Sequence, residues 1–325
     1  MDTNVSAAAD AADSIVRTCQ WTVAGLVAEV PTRHGVMAVF RHDSGALTFS
    51  LARYGEWAEN EIAFLRRFIP AGGVVLDVGA YIGTHSLAFA AAAGPGGRVI
   101  AFEAQPDSFA LLVNNLAVNG VETVEARLGA VGAPGGSATL ALPAIDIRSP
   151  RSFGSAALAD APATDPGPSV VVPAISLDQL GLERCDLVKI DAEGMESAVL
   201  EGAIGLLGKT QPIVYAECNS VDAGARTIAW LREAGMAVHL HIVDAFNPDN
   251  WRGCPQDGFH GAREVALVGV PGARRPLLAH FRPRAVERFL PVETLDDLVV
   301  GMMLKPQYAA EVLHRTPAFR EVAGA

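Results

Sequence analysis

Val74-Val-Leu-Asp-Val-Gly79-Ala-Tyr-Ile-Gly83 is the stretch on which the fold turns. Val74 to Val78 is a short apolar run with the β-branching of a buried parallel strand. Gly79 lets the backbone bend, and Gly83 stands at the start of the next periodic segment. Thr84 to Ala93 is alanine-rich and predicts a helix, which Gly94-Pro95-Gly96-Gly97 breaks. A second apolar run from Arg98 ends in the acidic Glu103. Strand, glycine bend, helix, strand and acid make a βαβ nucleotide-binding unit. The bland alternative is an ordinary α/β turn with incidental glycines.

The spacing speaks to which nucleotide. A dinucleotide fingerprint needs a second glycine two residues after the first, so that the backbone can approach a pyrophosphate. That position holds the bulky Tyr81. Asp77-x-Gly79-x-x-x-Gly83 instead resembles the first motif of S-adenosylmethionine (SAM)-dependent methyltransferases. SAM carries no phosphate. It needs room for an amino-acid tail beside the bend, where Asp77 and Gly79 stand, and an acid for its ribose hydroxyls, where Glu103 stands.

The 325 residues suffice for one large domain with extensions, and half of them are hydrophobic, so a sizeable core can form. Net charge is -11, with lysine only at positions 189, 209 and 305, so the basic footprint of a nucleic-acid binder is missing. Cys19, Cys185, Cys218 and Cys254 lack zinc-ligand spacing and suggest no disulfide framework. The N-terminus lacks a basic segment followed by an apolar core, and no apolar run has the length of a membrane span. The expectation is a cytoplasmic protein that engages neither nucleic acid nor membrane.

Along the chain, residues 1–20 predict a flexible arm and 21–53 a β-hairpin extension, with Val36 to Phe40 pairing with Ala46 to Leu51. The core domain runs over 54–272, with further strands at Val124–Leu128, Leu187–Asp191, Pro212–Glu217, Ala237–Ile242 and Glu264–Val270. Helices are expected at Pro106–Ala117, Met195–Leu207 and Asp222–Ala234. The stretch 143–168, rich in Pro, Ala, Ser, Gly and Asp, reads as a mobile loop or a lid. Residues 273–325 read as a helical extension, with pieces at Thr294–Met303 and Gln307–His314, that covers the site or joins subunits into a homodimer.

Several separated motifs then line up with one family. Leu76-Asp-Val-Gly-Ala-Tyr-Ile-Gly, Ala101-Phe-Glu-Ala-Gln-Pro, Val188-Lys-Ile-Asp-Ala-Glu-Gly-Met-Glu, Tyr215-Ala-Glu and Phe246-Asn-Pro-Asp-Asn resemble the FkbM family of SAM-dependent methyltransferases over roughly Tyr54 to Val270. The resemblance implies a class I methyltransferase fold: a doubly wound α/β sheet of seven strands, the last antiparallel. It also implies methyl transfer, usually to a hydroxyl of a sugar, polyketide or similar natural-product scaffold. The chain departs from the family at Tyr81, where asparagine is usual, and at Ala104, where proline is usual. SAM is expected to be held by Asp77, Gly79, Ala80, Tyr81, Gly83, Glu103, Ala104 and Asp191.

Methyl transfer to a hydroxyl needs a base at the carboxyl edge of the sheet. His241, which titrates nearest neutrality when unperturbed, is the first candidate; Asp191 is the second, with Glu193 beside it. Asp191 has the alternative role of holding the SAM ammonium. Glu217, Asn219, Asn247 and Asn250 are expected to contact the acceptor. No metal is predicted, although Asp191, Glu193 and Glu217 offer hard oxygen ligands for Mg²⁺. Lys189, inside an apolar strand, is expected in an ion pair. Trp57 and Trp251 either wall the pocket or pack. The rival classes are an NAD-dependent oxidoreductase on a related sheet and a non-catalytic SAM-binding protein.

Overall fold

The computed structural model describes residues 25–135, 138–154, 168–279 and 281–306. The expected N-terminal arm, residues 155–167 of the 143–168 loop, Cys19 and the Gln307–His314 helix lie outside them. The elements, in order, are β1 (Val27–Thr32), β2 (Gly35–Phe40), α1 (Ala46–Tyr54), α2 (Glu59–Leu65), β3 (Val74–Val78), α3 (Thr84–Ala93), β4 (Arg98–Glu103), α4 (Pro106–Val118) and β5 (Val124–Leu128). Next come β6 (Ala130–Val131), β7 (Thr139–Pro143), β8 (Ser169–Ile175), β9 (Leu187–Ile190), α5 (Glu196–Glu201), α6 (Ile204–Thr210), β10 (Ile213–Glu217) and α7 (Val221–Glu233). The chain ends with β11 (Ala237–Asp244), β12 (Arg263–Val270), β13 (Glu287–Pro291) and α8 (Leu295–Met303).

One eight-stranded sheet runs β13-β11-β12-β10-β9-β3-β4-β5. Five neighbours, β5 to β10, are parallel, while β12 is antiparallel to both β10 and β11. This is the doubly wound α/β sheet expected of a class I methyltransferase, with the last of its seven core strands reversed. The extension after Val270 also supplies β13, an eighth strand antiparallel to β11 that helical periodicity could not foresee. Phe289 on β13 stacks on His239 with ring centroids 4.6 Å apart, which fixes the added strand.

Side chains alternate across the strands. Leu76, Val78, Val188, Ile190 and Val214 enter one core, with Val199, Leu206, Ile228 and Leu298 from the helices. Val75, Val99, Leu187, Ile213 and Tyr215 enter the opposite core against Phe64 and Phe89. Val78 and Ile190 thus bring the C-terminal ends of β3 and β9 to the same edge.

Two expectations are corrected. The hairpin forms across Thr32–Gly35, pairing β1 with β2, and Ala46–Leu51 is helical rather than a strand. Its Ala-Leu-Thr-Phe-Ser-Leu pattern suits either period. The choice falls to the helix because Asp43 holds Gly45 N–H and the Thr48 hydroxyl, while Leu51 and Tyr54 bury one face. The single helix expected over Met195–Leu207 is two, because Gly202 packs against the Gly132 carbonyl, 2.0 Å from where a Cβ would lie. Among the described residues, no helix is long and apolar enough to cross a membrane.

Candidate active site

A cleft of about 350 Å³ opens at the C-terminal ends of β3, β4, β9 and β10, within the size range of small-molecule sites. Its floor is the bend after β3. Gly79 has φ +78°, and a Cβ there would lie 1.7 Å from the carbonyl oxygen of Asp191. Only glycine permits that approach. The N–H groups of Gly79 and Ala80 donate to the Phe102 carbonyl at 3.0 and 2.9 Å, and Lys189 Nζ donates to the Gly79 carbonyl at 3.1 Å.

Glu103 faces this bend. Its oxygens accept the Tyr81 N–H at 2.8 Å and the Gln105 N–H at 2.7 Å. Burial pushes its carboxyl up to about 7, against the pull of those amides and of Lys189. Tyr81, Glu103 and Ala104 line the cleft, with Gln105 and Ser108 beyond them.

Asp77, Ala80 and Gly83, expected as cofactor contacts, lie beneath the lining of the cleft. Asp77 is fully buried; it accepts the Ser86 hydroxyl at 2.6 Å and pairs with Lys189 at 3.3 Å. Register explains this: Asp77, Lys189 and Tyr215 are partners across β3, β9 and β10, a polar row inside the sheet. Ala80 is buried, and Gly83, at φ +94°, turns the chain into α3. These three shape the loop.

The other end of the cleft is acidic. Asp191, Glu193 and Glu217 line it, each offering an oxygen within 4.8 Å of the others. Burial opposes ionisation of Asp191, but Lys189 at 3.3 Å, with a hydrogen bond from Glu217, holds its carboxyl below the usual range. Burial and the neighbouring Asp191 push Glu217 well above it. The two carboxyls are thus pushed apart in pKa, so that the pair favours one shared proton, on the Glu217 side. Three carboxylates at this spacing could also hold a divalent cation in place of that proton.

His241 is not part of the cleft. It is fully buried on β11, stacked on Phe64 with centroids 3.9 Å apart, and its Nδ1 lies 3.0 Å from the Tyr215 hydroxyl. Its Nε2 faces Glu287 at 3.5 Å. No acceptor can reach it, so the expectation of a base here is corrected.

The expected acceptor contacts divide. Glu217 faces the cleft; Asn219 stands outside it, donating to Glu217 at 2.8 Å and accepting from Lys305 at 2.9 Å. Asn247 donates to Glu56 at 2.7 Å. Asn250 is buried and bonds both the N–H and the carbonyl of Cys254. The two staple the loop after β11, so their expected contact with an acceptor is corrected. Trp57 lines the cleft, while Trp251 is half exposed elsewhere.

Several lining residues escaped the motifs: Asp43, Leu47, Phe153 and Leu142. Only Asp43-Ser44-Gly45 carried a local signal, that of an Asx turn.

Comparison with known proteins adds identity to this geometry. The chain resembles the solved precorrin-6y C5,15-methyltransferase from Geobacter metallireducens at 15% identity, covering 66% of this chain and 86% of that one, with a TM-score of 0.40. The methyltransferase FkbM from Methylobacillus flagellatus matches at 16% identity over 61% of this chain and 44% of that one, with a TM-score of 0.38. Cofactor-bound Rv0187 from MTB matches at 19% over 81% and 89%, with a TM-score of 0.39. No curated protein matches the sequence. The family profile described as the methyltransferase FkbM domain matches residues 77–237, which include the Gly79 bend, Glu103, Asp191 and Glu217. With its class I sheet and these residues at one edge, the chain carries a methyltransferase FkbM domain over residues 77–237.

Proposed function

We propose that the protein is a SAM-dependent O-methyltransferase acting on a hydroxyl of a small metabolite, such as a sugar or polyketide scaffold. One observation carries this: the carboxylates of Asp191, Glu193 and Glu217, within 4.8 Å of one another, open into the same cleft as Glu103 and the Gly79 bend.

The residues present fit the cofactor. Glu103 presents a carboxylate to the cleft for the ribose hydroxyls. Gly129, Ala130, Val131 and Leu142 give an apolar wall for the base, and the Gly79 bend leaves room for the amino-acid tail. When bound, SAM supplies an electrophilic methyl on a sulfonium.

The chain does the rest by position and charge. The cleft holds the acceptor hydroxyl between Asp191 and the floor, and such orientation is worth on the order of 7–11 kcal/mol. Asp191 accepts the hydroxyl proton. A carboxylate with a lowered pKa is a weak base, but the hydroxyl becomes strongly acidic as its oxygen bonds to carbon, so a weak base suffices. Lys189 keeps Asp191 ionised, and Glu217 orients it. Trp57, Leu47 and Phe153 supply apolar cover that excludes water.

The test is turnover of a hydroxylated acceptor library with SAM, read by mass spectrometry. Wild type should add 14 mass units per product, roughly one CH₂. Asp191→Asn should lose at least ~100-fold in turnover while still binding S-adenosylhomocysteine. Binding without turnover in wild type would favour a non-catalytic SAM-binding protein.

A further inference from the structure

Asp43 lies outside every motif that carries the family resemblance, yet it lines the cleft. It is 8% exposed, and its carboxylate accepts four hydrogen bonds from three stretches of chain. Oδ1 takes the Gly45 N–H at 2.9 Å and the Phe153 N–H at 3.2 Å. Oδ2 takes the Thr48 hydroxyl at 2.6 Å and the Tyr81 hydroxyl at 3.1 Å. Main-chain bonds back the same join: Ser44 N–H to the Arg151 carbonyl at 3.0 Å, and Arg151 N–H to the His42 carbonyl at 3.3 Å.

Each stretch contributes to the cleft wall. Gly45, Ala46 and Leu47 come from the start of α1, and Ser152, Phe153 and Gly154 from the connection after β7. Tyr81 comes from the floor. Its hydroxyl is held by Asp43, and its main-chain N–H orients Glu103. Burial and the neighbouring Asp43 push the phenol far above its ordinary value, so it remains a donor.

We infer that Asp43 is a positioning residue for cofactor binding: through Tyr81 it fastens the roof segments 45–47 and 152–154 to the floor of the cleft. This rests on the cleft being the SAM site. The chemistry of replacement is specific. Alanine leaves two main-chain N–H groups and two hydroxyls without their acceptor. Asparagine can keep both N–H groups on its oxygen and donate its amide to the Thr48 and Tyr81 oxygens, so the join survives.

Calorimetry with S-adenosylhomocysteine separates the possibilities. Asp43→Ala and Tyr81→Phe should each weaken binding about tenfold, and Asp43→Asn should stay within about threefold of wild type. The Asp43→Ala, Tyr81→Phe double variant should bind no more weakly than Asp43→Ala, because both cut one connection. Wild type that binds neither SAM nor S-adenosylhomocysteine overturns the cofactor reading itself. Wild-type binding with Asp43→Ala and Tyr81→Phe unchanged overturns the positioning role alone. So does an Asp43→Asn variant as weak as alanine. Should Asp43→Ala fail to fold, Tyr81→Phe, which removes a single hydroxyl, decides.

Discussion

The Nζ of Lys189 lies 3.3 Å from Oδ1 of Asp77, its register partner on the neighbouring strand, and both side chains are buried. Lys189 also stands 3.3 Å from Asp191 at the cleft edge. Burial disfavours its charge, but Asp77 and Asp191 more than offset this and raise its pKa above the ordinary lysine value. Removing the cation strands a buried carboxylate. Lys189→Met should cost about 3–5 kcal/mol in urea denaturation. A loss below about 1 kcal/mol would mean that Asp77 is stabilised by other means.

Glu103 should make cofactor affinity depend on pH. Its carboxyl titrates at about 7 in the free protein, and the ionised form is the better acceptor of ribose hydroxyls. Affinity for S-adenosylhomocysteine should therefore rise about tenfold from about pH 6 to about pH 8, and Glu103→Ala should flatten the profile and weaken binding. Stability runs the other way. The folded state holds this proton more tightly than the unfolded chain, so Glu103 reduces the stability of the free protein as pH rises from the ordinary glutamate range to about 7. Calorimetry across pH checks the first, and melting curves of wild type against Glu103→Ala the second.

Gly79→Ala places a methyl 1.7 Å from the Asp191 carbonyl, at a backbone angle that already disfavours it. The floor of the cleft must shift. The expected outcome is a folded or partly folded variant with no calorimetric heat from S-adenosylhomocysteine. Wild-type affinity would show that the two strand ends can part without loss.

His241 should matter for stability and not for turnover. Burial opposes the charge of Glu287, yet His241 and Arg284 hold its carboxyl down to about 2. His241→Gln should lower stability by about 1–3 kcal/mol, with turnover within about twofold of wild type when assayed well below melting. A tenfold fall in turnover with melting unchanged would return this histidine to the chemistry.

The contrast between His241 and Asp191 shows how far the residues could be read. Both were expected at strand ends on the carboxyl edge. Periodicity located the strands, and Asp191 comes one residue beyond β9, where the sheet opens. His241 lies inside β11, and its side chain meets Phe64 and Tyr215 rather than the edge. Which face of a strand is covered depends on elements far away in the chain. Asn247 follows the same logic, since its partner Glu56 lies 191 residues away, between α1 and α2. The Gly79 bend, Glu103 and the carboxylates of β9 and β10 were legible because each is fixed by its own strand and the turn after it. Asp43 was not, because its role exists only once residues 48, 81 and 153 meet.

The contact of Gly79 with the Asp191 carbonyl has a mechanical consequence. The bend after β3 and the carboxylate at the end of β9 are gauged from one rigid joint, where two peptide backbones touch with no side chain between them. Substitutions among residues 45–47 and 152–154 can reshape the wall above the cleft, while the separation of Glu103 from Asp191 stays set by the sheet.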